Sequence, residues 1–199
     1  RTISHSVGVA PEFMLVKNLA DTDNWAVYHA SNTTAPATDY LILNTTAATA
    51  DDATIWNDTA PTSSVFSVGT SSLTNGNTEA MIAYLWAGVE GFSKFGYYIG
   101  NADANGPFVW CGFRPAFLMV KQTSGAEGWI MFDKDRDPFN VSGDYLFADT
   151  TGAEYDSAYV DLLSNGFKAR ISGSGMNGSG TTHLFMAFAE APFKTANAR

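Results

Sequence analysis

A chain of 199 residues, 45% of them hydrophobic, can bury a proper core and is long enough for one domain or two small ones. Eleven Lys and Arg stand against twenty Asp and Glu; the resulting net charge of -9 repels phosphate backbones and anionic headgroups, arguing against nucleic acid and membrane surfaces as partners. The single cysteine, Cys111, excludes an intrachain disulfide, and no apolar run approaches the ~20 residues of a membrane span.

In chain order, the segment "GVAPEFMLVKN" contains the first clear strand, "FMLVK". "NWAVYH" follows with period-two alternation, which puts Trp25, Val27 and His29 on one face and Ala26 and Tyr28 on the other. "YLILN" and "VFSVG" read as further strands, and "TADDATIWN" between them predicts a helical turn. "TEAMIAYLWAG" is rich in helix formers, yet its later counterpart "THLFMAFAEA" is more aromatic and follows a Gly-Ser loop, so both are expected as buried strands. A strand is predicted from Lys94 to Ile99, ahead of the apolar run "FVWCGF", where Cys111 reads as a small buried hydrophobe. "GAEYDSAYV" predicts a helical turn, Asn165-Gly166 a tight hairpin, and "GSGMNGSGTTH" a flexible hairpin loop with neither the Lys nor the following helix of a phosphate loop.

The chain writes much of this twice. "GVAPEFMLVKN" returns as "GFRPAFLMVKQ", with Pro11 and Pro115 at a spacing of 104 that Trp25 and Trp129 keep. "DYLILNTT" returns as "DYLFADTT", and Asn75-Gly76 meets Asn177-Gly178 at a spacing of 102. The matched positions are mainly apolar, Gly and Pro, which marks a duplicated scaffold; a duplicated catalytic site would repeat its polar residues instead. The expected fold is all-β, two related β-sandwich or jelly-roll-like units over residues 1–91 and 92–199, or one merged domain. Only the second copy has a strand ahead of its anchor, so the first copy's opening strand is expected either upstream of Arg1 or in Lys94 to Ile99 serving both copies. A missing strand leaves an edge that a neighbouring chain could fill.

"RTISHSVGVAPEFMLVKN", "NGPFVWCGFRPAFLMVKQ", "DRDPFNV", "LLSNGFKAR" and "MAFAEAPFKTANAR" together resemble a repeated module of uncharacterised structural proteins of tailed bacteriophages, marine ones especially, assigned to tails or tail fibres. The resemblance covers nearly the whole chain. It implies a virion component exposed on the particle; it does not imply an enzymatic activity, and it carries no set of binding residues.

Weighed on their own, the site-like stretches are few. "DKDRDPFNVSGD" alternates Asp133, Asp135 and Asp137, the start of a calcium loop. Pro138 stands where such a loop needs Gly, which favours a solvated loop with Arg136 pairing neighbouring carboxylates. With twenty acids in the chain, no carboxylate pair stands out as a glycosidase site. His5, His29 and His183 show neither metal spacing nor a nucleophile partner. Aromatic rings stack on sugars. Trp25 and Trp129 sit among apolar neighbours and read as core, whereas Trp56, Tyr97 and Tyr98 lie nearer polar stretches and are the expected exposed ligand-binding candidates, with Arg136.

The leading expectation is therefore a non-enzymatic virion module of a tail fibre or appendage, partnered by other virion proteins and by copies of itself in a trimer, with no obligatory cofactor. The alternatives are a carbohydrate-binding module for a host surface glycan and a capsid decoration or head-fibre protein.

Overall fold

The computed structural model describes residues 1–191. The chain is almost all β and divides between Ala87 and Gly88 into two compact units.

Unit 1 runs through β1 (Thr2–Ser4), β2 (Phe13–Asn18), β3 (Ala26–His29), β4 (Asp39–Ile42), β5 (Ala50–Asp51), α1 (Ala53–Trp56), β6 (Val65–Ser67), α2 (Ser72–Asn75) and β7 (Met81–Trp86). Five strands form a sheet in the order β5-β4-β3-β2-β7, and β1 pairs with β6 in a separate ribbon. Alternation decides which faces are buried. Met14 and Val16 of β2 and Ala26 and Tyr28 of β3 point to one core, where Phe66 of the ribbon and Ile55 and Trp56 of α1 meet them. The expected helical turn is α1, started by the Asp52 carboxylate, which accepts from the Thr54 amide at 2.8 Å.

Unit 2 contains β8 (Ser93–Ile99), β9 (Phe108–Trp110), β10 (Pro115–Gln122), β11 (Ile130–Asp133), β12 (Ser142–Phe147), β13 (Tyr155–Leu163), β14 (Gly166–Ala169), α3 (Ser174–Asn177) and β15 (Thr182–Ala189). Its strands make one sheet in the order β8-β15-β10-β11-β12-β13-β14-β9. The sheet is nearly closed and barrel-like, where two-layer packing was expected. Tyr98, Leu118, Phe132, Val160, Phe167 and Phe185 fill its interior.

Three local expectations are corrected here. "GAEYDSAYV" yields strand β13, because Tyr155 pairs with Tyr145 and Val160 with Ser142 across β12, and long-range pairing overrides local helix preference. The hairpin turn is Ser164 and Asn165, since Gly166 already pairs with Leu163. Gly166 is needed for another reason: a Cβ there would lie 2.0 Å from the Val109 carbonyl oxygen, so only glycine lets β9 approach. "GSGMNGSGTTH" contains the helical turn α3, with Asn177 buried inside it.

Two stretches of the sheets have one order. Unit 1 places β4-β3-β2-β7 side by side, and unit 2 places β12-β11-β10-β15. Lys17 of β2 pairs across from Ile82, and Lys121 of β10 from Leu184. Both lysines turn back to tie down the loop that follows: Lys17 Nζ donates to the Asp21 carbonyl at 2.9 Å, and Lys121 Nζ donates to the Glu127 carbonyl at 2.7 Å. The Lys in each copy of the repeated phrase is thus a loop tether.

Candidate functional site

The residues singled out in the sequence scatter. Trp56 is only 1% exposed and packs edge-on to Tyr28 with ring centroids 5.9 Å apart; the turn capped by Asp52 rolls its side chain into the core, correcting the expectation of an exposed platform. Tyr98 is likewise corrected. Its ring stacks on His183 at 5.1 Å, and its hydroxyl donates to the Met176 carbonyl at 2.7 Å, both inside the barrel. Tyr97, one step along the strand, points the other way and is 58% exposed.

Asp133, Asp135 and Asp137 do not converge. Asp133 accepts from the Asp135 amide at 2.8 Å, Asp135 pairs with Lys134 at 2.6 Å, and Asp137 accepts from the Gly143 amide at 2.7 Å. Among the described residues no group of three carboxylate, imidazole or thiol side chains is placed to hold a metal, so the calcium loop is corrected to a turn held by its own carboxylates. Arg136 pairs with Glu154. Asp144 has its carboxyl pushed above the usual range, by desolvation first and then by Glu154, Asp156 and Asp137, with Arg136 opposing. Arg136 is the cation of this acidic corner.

Two aromatic surfaces were not anticipated. On β7, Tyr84 stacks on Trp25 (6.4 Å, 24°) and on Trp86 (6.1 Å, 20°), forming a ladder on the side of the sheet away from the core of unit 1. Trp25 is therefore half-buried in this ladder, unlike its counterpart Trp129, which is core. The signal was present in "MIAYLWA", where alternation separates Tyr84 and Trp86 from Ala83 and Leu85. On unit 2, Trp110 is 57% exposed, and Lys94 Nζ sits 4.0 Å from its ring centroid. A recess of about 250 Å³ opens there, lined by Glu90, Ser93, Lys94, Trp110 and Gly112 among others.

Unit 1 also holds a cavity of about 280 Å³ between the β1-β6 ribbon and β7, lined by Val16, Phe66, Val68, Thr74, Met81 and Ala83 among others. β7 pairs with β2 alone and forms the end of its sheet. In unit 2 the corresponding strand β15 is covered on that side by β8, from Thr182 opposite Ile99 to Phe188 opposite Ser93.

The polar side chains inside the units are used structurally. Asn177 Nδ2 lies 2.7–3.0 Å from Asn101 Oδ1 and from the Asp103 and Ile171 carbonyls, sharing its two protons among them, and Asn177 Oδ1 accepts from the Asn101 amide at 2.8 Å. Asn75, its counterpart, donates to the Gly69 carbonyl at 2.7 Å. Burial pushes the Cys111 thiol up to about 12, against a weaker pull from Lys94, so a thiolate nucleophile is unavailable at neutral pH. Burial also lowers His183 to about 4. The Thr181 hydroxyl lies 2.9 Å from His183 Nε2 and 2.8 Å from the Gly178 carbonyl.

The arrangement is an almost all-β fold whose interior polar groups hold loops and strand ends in place. The chain belongs to a family described as a domain of unknown function, DUF7483, whose pattern matches residues 1–192. No curated protein and no solved structure is significantly similar to it.

Proposed function

We propose that the chain is a non-enzymatic structural module of a phage virion, part of a tail fibre or tail appendage on the particle surface that serves in assembly or host attachment. In this reading the two units arose by internal duplication, and the chain assembles as a homotrimer alongside other virion proteins. The phage assignment comes from the resemblance of the sequence motifs. The observation that carries the structural role is the pairing of like with like: the order β4-β3-β2-β7 beside β12-β11-β10-β15, with the repeated Lys and Asn serving the scaffold in both. Light scattering after size exclusion tests it, with a trimer of a 21.3 kDa chain expected; a monomer at every concentration overturns the assembled state.

A second reading is carried by the exposed aromatics. The Trp25, Tyr84 and Trp86 ladder, and Trp110 beside Lys94 and Glu90, offer flat apolar faces next to charged groups, the chemistry that binds a host surface glycan. Tyr84→Ala and Trp110→Ala, at surface positions, should then weaken binding to host cells while leaving thermal unfolding within a few degrees of the parent. A cell-binding curve unchanged in both variants removes this reading.

A further inference from the structure

We propose that the open side of β7 and the cavity behind it form an acceptor groove for an extended strand donated by another polypeptide, one carrying a large apolar side chain opposite Ala83 and a tyrosine opposite Met81. The proposal rests on reading the two units as copies of one scaffold.

The register fixes the correspondence. Asn18 pairs with Met81 in unit 1, and Gln122 pairs with His183 in unit 2; Val16 pairs with Ala83, and Val120 with Phe185. Met81, Ala83 and Leu85 therefore hold the places of His183, Phe185 and Ala187. In unit 2 these three residues face Tyr98, Gly96 and Lys94 of β8. The hydrogen-bond phase agrees. The Gly100 amide donates to the Thr181 carbonyl at 2.9 Å, so alternate residues from Thr181 onward turn their backbone groups toward β8. In unit 1 the Leu19 amide donates to the Ala80 carbonyl at 2.8 Å, which directs the even-numbered residues of β7 to β2. The N–H and C=O groups of Met81, Ala83 and Leu85 then face away from β2, where β7 has no strand beside it among the described residues.

The side-chain space corresponds as well. In unit 2, Tyr98 enters the barrel against His183 and Phe167 and bonds the Met176 carbonyl. The cavity of unit 1 is walled by residues at those same places: Met81, Phe66 and Thr74. One pair is inverted in size. Gly96 of β8 leaves room for the Phe185 ring, which a Cβ there would crowd at 3.0 Å, whereas unit 1 has Ala83 at the Phe185 position. The space that Phe185 fills in unit 2 is left for the donor strand to fill in unit 1, which sets the apolar side chain opposite Ala83. Strand addition of this kind draws affinity from the backbone ladder and specificity from alternate side chains.

The test uses the full chain and two fluorescently labelled peptides, the native β8 sequence SKFGYYI and the same peptide with Gly96→Leu. Wild type should bind the Gly96→Leu peptide about tenfold or more tightly than the native one, the worth of one buried apolar side chain. Ala83→Phe should reverse that preference. Ala83→Pro, which removes an outward-facing N–H from an edge strand, should abolish binding of both peptides while cooperative unfolding is retained. In wild type the bound peptide should slow hydrogen exchange at the amides of Met81, Ala83 and Leu85, a readout that needs no variant. Failure of both peptides to bind, equal affinity for the two, or binding undiminished in Ala83→Pro would overturn the proposal. So would a dimer of the chain alone that Ala83→Pro dissociates, since the occupant would then be a second copy. A trimeric mass with no peptide binding would fail the groove alone, and peptide binding by a monomer would fail the assembled state alone.

Discussion

Tyr98 and His183 lie face to face inside the barrel of unit 2, ring centroids 5.1 Å apart and planes inclined by 15°. Strand pairing places them opposite each other, and the Tyr98 hydroxyl fastens the stack to α3 through the Met176 carbonyl. Burial holds the imidazole neutral, with its pKa lowered from 6.5 to about 4.

That depression makes unit 2 sensitive to acid. A group whose folded pKa is lowered contributes stability above its unfolded value, and this stability is lost as pH falls toward the folded value. The window is therefore pH 6.5 down to 4. Chemical denaturation should show a loss of about 2 kcal/mol across it from this group, and His183→Gln should flatten the slope. An unchanged slope in the variant would assign the acid sensitivity elsewhere.

Lys121 gives the alkaline counterpart. It is fully buried, and desolvation lowers its ammonium to about 8 against the opposing pulls of Asp149 and Glu127. Above pH 8 the folded chain loses this proton while the unfolded chain keeps it up to 10.5, so the burial cost is relieved as pH rises through that window. Relative to Lys121→Met, wild type should gain in Tm between pH 8 and pH 10; a constant difference would contradict it.

Asn177 and Asn75 occupy like places with unlike duties. Removing the Asn177 amide leaves the Asp103 and Ile171 carbonyls and the Asn101 amide without this partner in a buried site. Asn177→Ala should destabilise the chain by about 3–5 kcal/mol, whereas Asn75→Ala, which releases the Gly69 carbonyl, should cost about 1–2 kcal/mol. Equal costs, measured by urea unfolding, would deny the different roles.

Cys111 should be inert. With the thiol buried and pushed up to about 12, thiol reagents at pH 8 should label it only at the rate of unfolding, and denaturant should restore the rate of a free thiol. Fast labelling of the folded chain would place the sulfur nearer to solvent.

Much of the scaffold was legible because β-branched and aromatic alternation names strands without help from the rest of the chain. "FMLVK" and "LMVKQ" became β2 and β10, and the shared Lys and Asn fell at like places. The start of β13 was read as a helical turn because its strand character depends on β12 lying beside it. The candidate residues failed for a related reason. Nothing within "GYYI" distinguishes the tyrosine that faces Phe167 from the one that faces solvent, and Trp56 is turned inward by one capped helical turn in a polar setting. The groove proposed on unit 1 was not legible in the sequence. Its shape depends on Ala83 standing where unit 2 has Phe185, and that comparison requires the register of both sheets.

The most direct measurement is residue-resolved hydrogen exchange on the native chain, comparing the amide of Ala83 with that of Phe185. Both belong to the last strand of a corresponding four-strand order, and only Phe185 is covered by β8. The account predicts that Phe185 exchanges at the rate of global unfolding while Ala83, like Met81 and Leu85, exchanges orders of magnitude faster. Equal protection of Ala83 and Phe185 in the monomeric chain would mean that β7 is not an open edge, and the account of a scaffold with one strand still to be supplied would be wrong.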